Sequence, residues 1–308
     1  MASFLSRLAP LVITLRGSKW RFGTAQRTID RIERIARRPV PHDPPRGLAK
    51  TVDIVERTVN GMPVYEVSPR GVTPHSRALY LHGGCYVFEI DAIHWQLVGK
   101  LAVEAGVRVT VPIMPLAPAA TASAIVLAMA DAAASLIAEV GADHVSILGD
   151  SSGGGMALAV AMELRDRGLP PLHATVLISP WLDISGTDPR LAEIAPRDPW
   201  LAVPGTHAAG ALYRAELPEN DWRVSPMHGS LAGLGPVTMF SGTRDILNAD
   251  ATRFVPLAAS AGLALDYYEG TGMIHNYPIL PIPEGNAARK HIVASLLPWR
   301  STRSTGGL

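Results

Sequence analysis

Residues 51–270 alternate short β-branched runs with Ala-rich helical patterns, and this alternation constrains the fold more than any other feature of the chain. Alternating strands and helices are typical of the α/β class, in which a largely parallel sheet is covered by helices on both faces. The dipeptide Asn60-Gly61 favours a tight hairpin, so we expect the sheet to begin with an antiparallel pair. The eight predicted strands are residues 52–59, 63–67, 77–81, 107–111, 144–148, 175–178, 237–240 and 263–268.

Two segments do not follow this alternation of strands and helices and are predicted to form a separate layer. They are residues 1–47, which close in a Pro-rich stretch, and residues 183–222, which are rich in Pro, Asp and Trp. We expect them to fold together as a helical cap over the carboxyl edge of the sheet, where open α/β sheets bind their ligands. The core then comprises residues 48–182 and 223–300, and residues 301–308 form a loose tail. The predicted core helices are residues 92–105, 119–140, 154–166, 249–261 and 284–297.

The composition is that of a globular protein and argues against several functional classes. Hydrophobic residues make up 47% of the 308 and charged residues 18%, so the chain can bury a large core. The net charge of +1 gives no overall electrostatic attraction for nucleic acid. A lone cysteine, Cys85, excludes an intrachain disulfide, and the ten histidines show no metal-ligand spacing. We therefore expect no metal, no cofactor and no nucleic-acid partner.

The sequence predicts neither a signal peptide nor a transmembrane span. The apolar run 8–15 is too short to cross a bilayer, and residues 1–5 lack a basic region. The longer run 119–140 is mostly alanine and contains Asp131 and Glu139, so it is typical of a core helix. We expect a cytoplasmic protein, and the sequence does not indicate its oligomeric state.

A G-x-S-x-G pattern, Gly149-Asp150-Ser151-Ser152-Gly153, follows one predicted strand and precedes an Ala-rich helix. Glycines on both sides permit a turn sharp enough to expose a serine hydroxyl at the top of a sheet. Ser151 is therefore the candidate nucleophile. The alternative interpretation is a Gly-rich loop that only joins strand to helix or cradles a phosphate.

The run His82-Gly83-Gly84-Cys85 follows the predicted strand 77–81 and should lie at the same edge of the sheet. Backbone N–H groups in such a loop can approach a developing oxyanion closely, because glycine has no Cβ. The candidate oxyanion hole consists of the N–H groups of Gly83, Gly84, Cys85 and Ser152. Taken alone, the run is equally typical of an ordinary tight turn after a strand.

A serine nucleophile needs a base, the base needs an acid, and this topology places them in the order serine, acid, histidine. His275 lies in the Gly-rich stretch 270–276 past the last predicted strand, whereas His291 lies inside a helical pattern, so His275 is the candidate base. Asp245 follows the seventh predicted strand and is the candidate acid, with Asp250 as its substitute. The alternatives are a histidine that bonds only locally and an aspartate that caps the next helix.

Several further motifs accompany these residues over nearly the whole chain. The full set is His82-Gly83-Gly84, Gly149-Asp150-Ser151-Ser152-Gly153-Gly154, Ser179-Pro180-Trp181-Leu182-Asp183, Ser225-Pro226, Gly242-Thr243-Arg244-Asp245, and Tyr268-Glu269-Gly270 leading to His275. Together they resemble the hormone-sensitive-lipase-like branch of the α/β-hydrolases, which includes bacterial carboxylesterases. Three features depart from that pattern. Cys85 stands where the family usually has a third glycine, Ser152 stands where it usually has alanine, and the stretch Met114-Pro115-Leu116-Ala117-Pro118-Ala119 replaces the family's common Tyr-Arg-Leu-Ala-Pro-Glu.

The resemblance implies an α/β-hydrolase fold, with an eight-stranded mostly parallel sheet and a helical cap. It also implies a small-molecule ester as substrate and a triad of Ser151, Asp245 and His275 that works through an acyl-enzyme intermediate. By the same analogy, the expected esters have short to medium acyl chains, because a fixed cap restricts the pocket. Two alternatives stay open from the residues, namely an amide or lactone hydrolase and a ligand-binding member without chemistry.

The N-terminal stretch 16–38 is a basic amphipathic segment with an apolar set at Phe22, Ile29, Ile32 and Ile35. A helix of this kind either packs its apolar stripe on the core as part of a cap or rests peripherally on an anionic membrane. We expect packing within the cap, with the arginines in solvent.

Overall fold

The computed structural model describes residues 3–297, and its centre is an eight-stranded sheet. The strands are Val52–Val59 (β1), Met62–Pro69 (β2), Arg77–Leu81 (β3), Arg108–Pro112 (β4), Val145–Asp150 (β5), Ala174–Ile178 (β6), Val237–Arg244 (β7) and Leu265–Ile274 (β8). They lie in the order β1-β2-β4-β3-β5-β6-β7-β8, with β2 antiparallel to both its neighbours and the other pairs parallel. The predicted fold class is thereby confirmed. The predicted tail, residues 301–308, lies outside the described residues.

The helices pack on both faces of the sheet and at its edge. They are Phe4–Leu15 (α1), Ser18–Phe22 (α2), Ala25–Arg37 (α3), Ala92–Ala105 (α4), Ala122–Val140 (α5), Ser152–Asp166 (α6), Leu191–Ile194 (α7), Val203–Arg214 (α8), Asn248–Ser260 (α9) and Pro283–Leu296 (α10). All five residues of β3 are buried, and successive side chains of a strand point to opposite faces. Accordingly Leu79 belongs to the core beneath α5, α6 and α9, whereas Tyr80 belongs to the core beneath α4 and α10. This continuous burial is the reason that β3 has no polar alternation in the sequence.

The basic amphipathic segment is not one helix over residues 16–38, as the pattern suggested. It forms α2 and α3, because the Thr24 side chain accepts a hydrogen bond from the Arg27 N–H and begins a new helix. Helix α3 packs against α8, which comes from the segment 183–222. The contact is close at Gly205, where a Cβ would lie 2.5 Å from the Thr28 hydroxyl and from backbone of α2. The two segments predicted to form the cap, residues 1–47 and 183–222, therefore contact one another directly.

Helix α5 is the one helix among residues 3–297 that is long and apolar enough to cross a membrane by length and composition. Its buried side chains include Ile125, Val126 and Met129, and it packs on α6, β3 and β5. These contacts place it in the hydrophobic core on one face of the sheet, as the alanine-rich sequence predicts.

Candidate active site

Ser151 occupies a sharp turn between β5 and α6. Its backbone has φ 56° and ψ −123°, a left-handed conformation that costs energy for any residue with a Cβ. The turn is held from outside, since the Ser151 N–H donates to the Ile178 carbonyl at 2.8 Å and its own carbonyl accepts from Trp181 at 2.9 Å. A Cβ on Gly153 would collide with the Leu81 carbonyl of β3. Hydrogen bonds to Ile178 and Trp181 therefore hold the Ser151 backbone in its strained conformation, and the close approach of β3 leaves no room for a side chain at Gly153.

A pair of alanine substitutions tests this steric account. Gly153→Ala is expected to destabilise the fold by about 3 kcal/mol, because the new Cβ meets backbone of β3 that has no room to move. Gly154→Ala is the matched control, since its Cβ would lie 3.1 Å from Pro180, a contact that a small shift relieves. Denaturant unfolding of both variants measures the difference. Equal stability losses would contradict the account.

The loop after β3 carries backbone N–H groups to the same edge of the sheet. Gly84, Cys85 and Tyr86 all have positive φ angles, so the chain turns sharply there. Among the described residues, the N–H groups of Gly84, Cys85 and Ser152 have no hydrogen-bond acceptor. Gly84, Cys85 and Ser151 line one cavity. The N–H groups of Gly84, Cys85 and Ser152 are therefore free to bind an anionic oxygen near Ser151.

Gly83 does not share this role, which corrects the sequence-based set. Its N–H donates to the Asp150 carboxylate at 3.0 Å and so is already engaged. A Cβ at this position would also collide with the same carboxylate. The glycine is needed for close packing against Asp150, and the donors begin at Gly84.

The Cys85 thiol is buried in this loop and is not a second nucleophile. Burial raises the pKa of the thiol to about 12, an effect that the Arg31 guanidinium only partly offsets. The protonated thiol is a poor nucleophile, so Cys85 contributes its backbone and its volume.

Asp150 is the main residue that sequence reasoning missed. Its fully buried carboxylate accepts hydrogen bonds from Tyr80, from Gly83 and, at 2.7 Å, from the Asn276 side chain, and it lies 3.4 Å from the His94 imidazole. Burial opposes both charges, but the pair interaction and hydrogen bonds outweigh it, so the pKa of Asp150 is lowered and that of His94 raised. Asp150 thus ties the turn at Ser151 to the loop after β3 and to the segment after β8. Its only sequence signal is its place beside the serine in G-x-S-x-G.

The candidate base and acid lie at the ends of adjacent strands and contact one another. Asp245 directly follows β7, His275 directly follows β8, and the His275 Nδ1 lies 2.8 Å from the Asp245 Oδ2. Both side chains are buried, with exposures of 0% for Asp245 and 3% for His275. The second carboxylate oxygen of Asp245 accepts from the Leu247 N–H at 2.9 Å, which fixes its orientation.

The stretches before these two residues are strand, although the sequence predicts that these strands end at residues 240 and 268. β7 and β8 remain paired from Val237↔Leu265 to Gly242↔Gly270, and a register shift precedes the pair Arg244↔Ile274. The glycines allow this pairing because a Cβ on Gly242 would lie 2.5 Å from the Met273 carbonyl.

The two rival residues lie elsewhere. Asp250 lies 3.7 Å from Arg253, on α9. His291 lies on α10, with its ring 4.4 Å from that of Tyr268. Neither is hydrogen-bonded to His275 or to Asp245 among the described residues.

Ser151 and His275 line the same cavity, whose volume is about 1060 Å³. Among the described residues no hydrogen bond joins the serine hydroxyl to the imidazole. Such bonds are often long without substrate and shorten in the complex. The cavity is lined by apolar side chains of α1 and by Phe22 and Phe88, and the described residues include no cluster of three or more His, Cys, Asp or Glu that could hold a metal ion.

The imidazole has a raised pKa. Burial lowers the pKa of His275. The charge of the Asp245 carboxylate and its hydrogen bond raise this pKa by more than burial lowers it, so the pKa lies above the ordinary 6.5. A third carboxyl, Asp198, is buried nearby, and burial together with the charge of Asp245 raises its pKa to about 6. Its oxygens accept from the N–H groups of Trp200 and Ile246, and the Trp200 ring stands edge-on to His275 at 5.6 Å.

Comparisons with known proteins show the family to which the chain belongs. Residues 78–279 match the model of a protein family described as alpha/beta hydrolase fold. The chain is 32% identical over 224 residues to a triacylglycerol lipase of Mycobacterium tuberculosis, a match that covers 72% of this chain but only 46% of that protein. It is 32% identical over 222 residues to an acetyl-hydrolase of Streptomyces hygroscopicus, with 68% and 71% covered. A solved esterase of the bacterial hormone-sensitive lipase family is 27% identical, with a TM-score of 0.73 and coverage of 88% of this chain and 98% of that one.

Proposed function

Because the chain belongs to the hormone-sensitive-lipase-like branch of the α/β-hydrolases, we propose that it is a serine carboxylesterase. One observation carries the proposal. One cavity is lined by Ser151, whose backbone is strained, by His275, which is paired with Asp245, and by Gly84 and Cys85 of the loop after β3. This is the set of groups that acyl transfer by a serine requires.

In the proposed cycle, Ser151 attacks the ester carbonyl carbon while the neutral His275 takes the proton from its hydroxyl. The carbonyl oxygen becomes an oxyanion that accepts hydrogen bonds from the N–H groups of Gly84, Cys85 and Ser152. His275 then gives its proton to the departing alcohol, which leaves an acyl-enzyme. Water, deprotonated by His275, attacks the acyl carbon, and His275 returns the proton to the Ser151 oxygen as the bond to the acyl group breaks and the acid leaves. Asp245 stabilises the protonated imidazole throughout.

The proposed substrates are carboxylic esters with short to medium acyl chains. The relatives named as a triacylglycerol lipase and an acetyl-hydrolase act, by those names, on glycerol esters and acetyl groups. A cavity of about 1060 Å³ with Phe22 and Phe88 in its wall accommodates more than an acetyl group. The apolar side chains of the lining suit an alkyl chain, and the lining also contains Arg16, Arg21 and Arg31.

A panel of p-nitrophenyl acetate, butyrate, octanoate and palmitate tests the proposal, together with a matched butyramide and a lactone. The expected result is the largest kcat/KM on butyrate or octanoate and little turnover of the amide. Preferential turnover of the amide or the lactone would replace the ester proposal with that activity. No turnover of any member would contradict it.

The pH dependence of kcat/KM follows from the raised pKa of His275. The base is active when neutral, so activity is lost as the pH falls through that pKa, and the acid limb should have its midpoint above pH 6.5. Initial rates on p-nitrophenyl butyrate between about pH 5 and 9 measure the limb. A flat profile, or a midpoint well below 6.5, would contradict a histidine paired with Asp245.

Asp198 is proposed as a positioning residue for this pair. Its carboxylate accepts a hydrogen bond from the N–H of Trp200, whose ring contacts His275. It also accepts one from the N–H of Ile246, the residue after Asp245. Asp198→Asn replaces an accepting oxygen by a donor and is expected to lower kcat about tenfold. Because the Asp198 charge also raises the pKa of His275, the acid limb should move to lower pH. A purely structural role would reduce the amount of folded protein and leave the limb in place.

A further inference from the structure

Helix α1 exposes its largest apolar side chains to solvent. We call these side chains the outer face of α1, and the exposed fractions are 74% for Phe4, 51% for Leu5, 38% for Leu8, 55% for Leu11, 46% for Val12 and 78% for Leu15. The buried residues of the same helix are Ser6, Pro10 and Ile13. An amphipathic helix on a water-facing surface shows the opposite arrangement, with its large apolar residues against the core. The outer face is thus a contiguous apolar surface without a partner in the described chain.

The inner side of α1 is held by polar contacts, so its orientation is defined. The Ser3 hydroxyl donates to Glu284 of α10 at 2.8 Å, and the Ser6 hydroxyl donates to the same carboxylate at 3.1 Å. The hydrogen bonds from Ser3 and Ser6 lower the pKa of Glu284, although burial opposes them, so the carboxylate is ionised and accepts strongly. A rotation that buried the leucines would break these bonds. The chain therefore presents the outer face through a specific attachment.

The charged residues of α1, of α2 and of the turn between them are all basic. Residues 3–29 contain no Asp or Glu but include the exposed Arg7, Arg16 and Arg21. Arg16 and Arg21 form no ion pair with any described residue, and both line the cavity. Trp20, on the adjoining α2, is 64% exposed. Apolar side chains bordered by arginines and a tryptophan are complementary to the apolar interior and anionic headgroups of a lipid leaflet.

The same surface leads to the catalytic cavity. Leu5, Leu8 and Val12 belong to the outer face and also line the cavity that contains Ser151 and His275. A flat hydrophobic partner in contact with α1 would therefore lie against the wall of this cavity.

We propose that α1 docks this protein on an anionic lipid bilayer, with the outer face inserted between headgroups and the cavity opening turned to the lipid. The orientation rests on the proposed ester-hydrolase function, because it delivers esters dissolved in the leaflet to Ser151. The docking itself depends only on the outer face and its arginines. Helix α3, the larger part of the segment for which the sequence left membrane contact as the alternative to packing within the cap, packs on α8.

Vesicle co-sedimentation tests the docking without hydrolysis. The full chain carrying Ser151→Ala is mixed with vesicles of phosphatidylcholine alone or of phosphatidylcholine with phosphatidylglycerol. We expect at least about tenfold stronger binding to the anionic vesicles, weakened by added salt. The pair Leu11→Glu and Leu15→Glu, at positions of the outer face away from the cavity lining, should lower binding by about tenfold or more.

Matched substitutions control for surface charge. Val72→Glu and Leu257→Glu introduce the same charges at positions that are 56% and 43% exposed on other elements. These variants should bind anionic vesicles within about twofold of the Ser151→Ala parent, and thermal melting of each chain verifies that it is folded. Arg16→Gln with Arg21→Gln should lower binding to anionic vesicles by about tenfold or more and change binding to neutral ones little.

Three results would overturn the docking. The first is that the chain binds neither kind of vesicle. The second is that the control variants lose as much vesicle binding as Leu11→Glu with Leu15→Glu. The third is that the chain binds no vesicles but forms a dimer in solution, which Leu11→Glu with Leu15→Glu dissociates. The last result would assign the outer face to a second copy of the chain. Failure of the ester panel with intact vesicle binding would remove the catalytic function but leave the docking.

Discussion

Ser151→Ala is expected to lower kcat/KM on p-nitrophenyl butyrate by about 10⁴-fold or more, to the level that binding and the N–H groups alone provide. The substitution removes the attacking oxygen and leaves the cavity in place. It also removes only one small polar group at a strained position, so the variant should fold. Kinetics on protein verified as folded by circular dichroism measure the loss.

Ser152→Ala is the matched control for this experiment. Its hydroxyl accepts a hydrogen bond from the Tyr86 N–H at 3.2 Å, whereas the group assigned to the oxyanion is its backbone N–H, which alanine retains. We expect a loss of about tenfold at most. Similar rates for Ser151→Ala and for the unaltered chain would contradict the assignment of the nucleophile.

Asp245→Asn is expected to lower kcat by about 10⁴-fold with a small change in KM. An asparagine has nearly the same shape, but it loses the charge that stabilises protonated His275 and it favours the wrong imidazole tautomer. The acid limb of the pH profile should also move to lower pH, since the Asp245 carboxylate raises the pKa of His275.

Asp250→Asn distinguishes the acid from its nearest rival. Asp250 lies on α9 beside Arg253 and makes no hydrogen bond to His275 among the described residues, and asparagine has nearly the same shape. We expect activity within about threefold of the unaltered chain. A loss as large as that of Asp245→Asn would contradict the assignment of the acid.

Much of the fold is predictable from the sequence because hydrophobic patterning specifies it. The bounds of β3 and α4 agree with the predicted residues 77–81 and 92–105, since both elements end at clear turn signals. The ends of β7 and β8 are not predictable in this way. Their last residues include Gly242 and Gly270, which local propensity assigns to a loop, and only the close approach of the two chains explains them as strand.

The candidate site is predictable where sequence position alone determines a role. Ser151, Asp245 and His275 each follow a strand at one edge of the sheet, so topology brings them together. The roles of Gly83 and Asp150 depend on a hydrogen bond between residues 67 positions apart, which no local pattern encodes. The break between α2 and α3 is a smaller example, because the Thr24 cap is a local signal that competes with a longer amphipathic pattern.

Covalent labelling with diethyl p-nitrophenyl phosphate tests the central claim most directly, because this reagent phosphorylates a serine activated by a base beside an oxyanion hole. The account predicts one diethylphosphoryl group per chain, on the peptide that contains Ser151. Labelling should be slowed strongly by Asp245→Asn and abolished by Ser151→Ala. A phosphorylated residue elsewhere, or labelling of Ser151→Ala at the original rate, would contradict it.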